Sequence, residues 1–245
     1  AYGNTAEETI VQDFVPDTSA PEIVFFGSER TFDGESYVKN GDNKVLLVVK
    51  EQGAGIDAEG VRANLGALGG GGFEEPTACE QIADTFNCYW DTHANFGSEG
   101  IVRISLSRLQ DKVANTGEMP EIELKVDNSP PKIEKLEFYG VSEVGDKDYF
   151  QSNDQLKIKA KISESSGLFF LVNLNGIVMD AETNYPENTY TKDAGWAVFS
   201  EQNCIRDADN FWVCELLTEP IKSGPDKNVA LEMVITDTAG NEAKE

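Results

Sequence analysis

Leu156-Lys157-Ile158-Lys159-Ala160-Lys161-Ile162-Ser163 sets an apolar residue at every second position with a lysine or serine between. Successive side chains of a strand point to opposite faces, so this stretch predicts a strand with one buried and one wet face. The same alternation runs through Ile122, Leu124 and Val126 beside Glu121, Glu123 and Lys125, and through Leu231, Met233 and Ile235 beside Glu232 and Thr236. Clusters of Gly, Asn, Asp and Pro separate these runs, as turn chemistry requires. The nearest approach to a helical period, Asp57 to Leu68, reads as a short turn.

Outward from that strand the chain repeats itself. Leu156 to Leu168 runs into a Glu-Gly corner, and so does Lys44 to Ile56. A Pro-x-Ile entry precedes each strand, at Pro21-Glu22-Ile23 and Pro131-Lys132-Ile133, and an Asn-Leu pair follows each, at Asn64-Leu65 and Asn173-Leu174. Next comes a close cysteine pair, Cys79/Cys88 and Cys204/Cys214, and then an Asp-x-x-x-Asn turn, Asp111 to Asn115 and Asp237 to Asn241. Landmarks of several kinds in one order make two copies of one module. Around seven short strands in about 110–125 residues predict a two-sheet sandwich. The expected organisation is an N-terminal strand and linker over 1–20, one domain over 21–127 and a second over 128–245.

Asp237-Thr238-Ala239-Gly240-Asn241 after an apolar strand, and Val126-Asp127-Asn128-Ser129-Pro130-Pro131 before the next copy, resemble the immunoglobulin-like repeats of bacterial and archaeal cell-surface proteins. The resemblance implies an all-β chain of two tandem immunoglobulin-like β-sandwiches with an extra N-terminal strand. Such modules serve as stalks, adhesins, layer and filament subunits or enzyme appendages, so the fold alone does not decide the function. The first copy departs from the pattern at its turn: Asp111-Lys112-Val113-Ala114-Asn115 lacks the glycine.

The charge excludes several partners. Against 20 basic residues stand 44 acidic ones, a net charge of −24, which repels nucleic acid and anionic lipid alike. No apolar run approaches the ~20 residues of a membrane-spanning helix, so no membrane insertion is expected. The single His93 has no nucleophile motif beside it, and Gly69 to Gly72 lacks the Lys-Ser/Thr of a phosphate loop, so no enzyme is expected. Two local cysteine pairs without Cys-x-x-Cys spacing or nearby His predict disulfides Cys79–Cys88 and Cys204–Cys214, hence an extracellular, cell-surface location. Phe86, Tyr89 and Trp90 beside the first pair, and Phe211 and Trp212 beside the second, read as core packed on the disulfides instead of a sugar platform.

No motif requires a cofactor. Calcium is the one candidate, on oxygen donors from Asp127, Asp146, Asp148, Asp207 and Asp209. The family pattern places a last strand after the Gly-Asn turn, which Glu121 to Val126 supplies in the first copy and for which the second has no room. Thr9-Ile10-Val11-Gln12-Asp13-Phe14-Val15 has the residues to fill such a gap in a neighbouring molecule. The expected function is thus a non-enzymatic structural subunit of an extracellular filament or layer, a head-to-tail homopolymer built by strand donation. The alternatives are a stalk or adhesin segment packed against neighbouring domains of a longer array, or a carbohydrate-binding module.

Overall fold

The computed structural model describes residues 16–142, 145–147, 151, 154–173, 178–179, 190–191, 196–200, 203–223 and 232–245. Thr9 to Val15 and Asp148 lie outside them. The chain is all-β and divides into two compact units. The first comprises 16–27, 44–92 and 103–122; the second comprises 28–43, 93–102 and the described part of 123–245.

Glu22–Ser28, Gly41–Lys50, Thr85–Ala94 and Ala78–Ile82, strands that fall mostly in the first unit, lie in that order in one sheet. Ile56–Asn64 pairs antiparallel with Gly100–Asp111 in a second. Alternate residues face inward: Val45, Leu47 and Val49 from one strand, Cys88 and Trp90 from its neighbour, Val61, Ala63, Ile104 and Leu106 from the other sheet, all essentially sealed from water. Each such large side chain contributes about 1.5–3 kcal/mol by leaving water. Trp90 also meets Phe26 edge to face at 6.5 Å. The segment read as a short turn is instead mostly the strand Ile56–Asn64, followed by a single 3₁₀ turn at Gly66–Leu68.

The second unit repeats the strand order. Lys132–Ser142 pairs with Gln155–Ser163, which pairs with Trp212–Ser223, which carries the short strand Cys204–Arg206. Leu168–Asn173 pairs with Glu232–Asp237 in the other sheet, as Ile56–Asn64 pairs with Gly100–Asp111. Leu156, Ile158, Ala160 and Ile162 are the buried face of their strand and pack with Trp212, Cys214 and Leu216 against Leu168, Phe170, Met233 and Ile235. Past the second turn, where no room for a last strand was expected, Glu242–Lys244 forms a three-residue strand beside Glu232–Asp237 at the end of its sheet; the residues after Asn241 are enough for a short final strand.

The second unit has an addition, the hairpin Thr31–Phe32 and Glu35–Val38. Its turn residues Asp33 and Gly34 take φ of 50° and 78°, the two positive values of the tight hairpin turn that Asp-Gly favours. The hairpin sends Phe32 onto the core, 6.0 Å from the Trp212 ring. Tyr37 and Val38 then pair parallel with Lys125 and Val126.

Candidate functional site

Both disulfides are formed, and each joins directly opposed residues of neighbouring strands with Cα atoms 4.0 Å apart. Of the aromatic residues beside them, Trp90 and Trp212 are interior, while Phe86, Tyr89 and Phe211 are half-buried. Trp90 and Trp212 are 1% and 6% exposed, and their indole N–H groups donate to the carbonyls of Glu74 and Ser166. The Arg206 guanidinium covers the Trp212 ring at 4.3 Å. His93, at the end of a strand, pairs its ring nitrogen with Asp42 at 2.7 Å on the surface.

Carboxylates gather at one place in each unit. In the first, Asp17, Glu51 and Asp111 each bring an oxygen within 4.8 Å of the others; in the second, Asp127, Glu164 and Asp237 do the same. The six residues come from matching landmarks: the segment before the entry proline, the Glu-Gly corner, and the Asp of the Asp-x-x-x-Asn turn. They meet because strand pairing, Ile56 opposite Asp111 and Leu168 opposite Asp237, carries the corner and the turn to the same end of each sandwich.

The turns fix the geometry. Asp111 accepts the backbone N–H groups of Val113 and Asn115 at 2.9 and 2.8 Å, and the Asn115 amide nitrogen at 2.7 Å. That same amide donates to the Asp17 carbonyl at 3.2 Å and so ties the linker to the turn. In the second unit Asp237 accepts the Asn241 backbone N–H at 2.8 Å and its amide at 2.9 Å, and the amide reaches the Asp127 carbonyl at 3.0 Å. The corners are held likewise: Glu51 accepts from the Gly53 N–H at 2.7 Å, and Glu164 from the N–H groups of Ser165 and Ser166 at 2.6 and 2.8 Å. A Cβ at Gly53 would stand 1.9 Å from an Asp17 carboxylate oxygen, so any other residue there must displace that carboxylate from the cluster.

The clusters hold more negative charge than their surroundings answer. None of the six carboxylates makes an ion pair with Lys, Arg or His among the described residues. Two unit charges at such a spacing repel by roughly 3–4 kcal/mol at an effective dielectric near 20. Burial first, then the charges of Asp237 and Glu164, push the Asp127 carboxyl up to about 7. Burial also raises Asp237, against the hydrogen bonds from Asn241. Glu51 Oε2 and Asp127 Oδ2 are buried oxygens with no hydrogen-bond donor, in residues 6% and 9% exposed.

Of the aspartates singled out as oxygen donors, Asp127 alone belongs to a cluster among the described residues. Asp207 instead binds Lys161 at 2.8 Å and accepts the N–H groups of Asp209 and Phe211, contacts that hold its carboxyl below the ordinary carboxylate range. Asp209 is exposed, and Asp146 lies in the short strand Gly145–Lys147. Asp17, Glu51, Asp111, Glu164 and Asp237 were missed. The signal for them was present, because all five sit on the landmarks of the repeat.

No protein-family model matches the chain, and no curated protein is significantly similar to it. Among solved structures the chain is similar to the C-terminal domain of the antigen I/II-family protein AspA of Streptococcus pyogenes, at 10% identity over 93% of this chain and 99% of that one. The TM-score is 0.31, a value at which two β proteins need not share a topology.

Proposed function

We propose that this chain is a non-enzymatic structural segment of an extracellular cell-surface assembly. The observation that carries the reading is the duplicated sandwich with one cross-strand disulfide at the same place in each copy. Disulfides persist in oxidising compartments, and two stapled copies of one module serve length and durability more readily than catalysis. The buried Trp90 and Trp212 favour this reading over a carbohydrate-binding module, which needs its rings at the surface.

In its finer form the proposal is head-to-tail association of copies. The short strand Glu242–Lys244 ends a sheet, and Thr9 to Val15 of a second copy is the segment that extends that edge. Main-chain hydrogen bonds supply affinity in strand addition, and an interface that does not close on itself propagates. Removing residues 1–15 should abolish concentration-dependent association in sedimentation velocity and filaments in electron micrographs. Unchanged association by the truncated chain defeats strand donation. A full chain that stays monomeric at every concentration defeats self-assembly.

A further inference from the structure

We propose that the two carboxylate clusters are calcium sites, one ion held by Asp17, Glu51 and Asp111 and the other by Asp127, Glu164 and Asp237. Oxygens that bind one calcium at 2.3–2.6 Å stand at most about 5 Å apart across the ion, and each trio lies within 4.8 Å. The second observation is the pair of unsatisfied oxygens. Glu51 Oε2 and Asp127 Oδ2 are buried and receive no N–H or O–H donor, an arrangement that a cation resolves. The unsatisfied oxygen belongs to the corner glutamate in one copy and to the linker aspartate in the other. What the copies share is therefore the cluster, not one awkward rotamer.

Donor chemistry selects the ion. Every candidate ligand is a hard oxygen; the four cysteines are consumed by disulfides, and His93 is engaged by Asp42. That excludes a site built for zinc or copper. Three carboxylates offering one or two oxygens each suit the adaptable shell of calcium better than the strict octahedron of magnesium. Each ion would join the linker, the corner and the closing turn of its own unit. This assignment is independent of whether the copies associate.

The test is equilibrium dialysis of the full, disulfide-intact chain, stripped with chelator, against radioactive calcium at near-neutral pH and about 0.15 M KCl, where diffuse binding to an acidic surface is screened. Two saturable ions per chain are expected, with affinities in the range of extracellular calcium modules, about 10⁻⁴–10⁻³ M. Glu51→Gln and Asp127→Asn should each leave one ion, the double variant none, and Asp207→Asn both. Absence of saturable binding, or a stoichiometry that Glu51→Gln and Asp127→Asn do not lower, overturns the proposal. Should either variant lose its β-sheet circular dichroism, the unmutated chain decides, any value but two ions counting against. Equal magnesium displacing all the calcium would overturn the choice of ion.

Discussion

Asp111–Asn115 and Asp237–Asn241 close the two copies with matching bonds from the Asn backbone and amide to the Asp carboxylate, yet one turn carries Ala114 where the other carries Gly240. Both residues take left-handed backbone angles, φ 70° for Ala114 and 85° for Gly240. A residue with a Cβ resists that region by roughly 1 kcal/mol. The first copy thus holds a strained turn, and what it keeps by doing so is the position of the Asp111 carboxylate and of the Asn115 amide that ties down Asp17. The turn is maintained for what it places, not for the ease of its backbone.

The equivalence of the copies is open to measurement, and the disulfides offer the largest effect. Each closes a loop of nearly equal length, with sequence separations of 9 and 10. In the chain-entropy model, replacing either pair by serine should cost about 2.5–3 kcal/mol in its own unit. Denaturant unfolding of the two double variants should give losses alike within about 0.5 kcal/mol, the scatter of independent sites. A loss in only one of them would break the equivalence.

The hairpin Thr31–Val38 has no counterpart among the described residues of the first unit. Phe32 lies half-buried on the second core, so Phe32→Ala should destabilise the second unit by about 2 kcal/mol, less than full truncation of a buried Phe. Hydrogen exchange should then quicken at Leu156 to Ile162 and leave Val45 to Val49 unchanged. Equal acceleration in both places would mean that the hairpin has no special tie to the second core. The smallest effect is expected at the turns. Ala114→Gly should stabilise the first unit by about 0.5–1 kcal/mol and Gly240→Ala should cost the second about 1 kcal/mol, both read from unfolding midpoints. Neutral outcomes at both would remove the strain argument.

Much of this architecture is legible in the residues. Period-2 alternation places Leu156 to Ile162 on a buried face, and the local cysteine pairs announce their bonds, because both depend on neighbours in sequence. The hairpin was signalled by Asp33-Gly34 flanked by Phe32 and Tyr37, but so short a hairpin leaves little alternation to read. The clusters were hidden for a different reason. Asp207 and Asp209 attract notice by lying close in the chain, whereas Asp127 and Asp237 meet only after strands pair and the turn folds back. Sequence proximity favours aspartates that serve a turn; a buried charge cluster is assembled by topology.

The most direct test is thermal unfolding of the unmutated chain and of Asp127→Asn, each in chelator and in millimolar calcium. Without the ion, Asp127 brings a buried carboxylate beside Asp237 and Glu164, and removing it relieves repulsion. With the ion, the same substitution removes a ligand. Calcium should raise the midpoint of the unmutated chain, and Asp127→Asn should be the more stable protein in chelator and the less stable in calcium. A variant that ranks the same way in both conditions would contradict the calcium assignment.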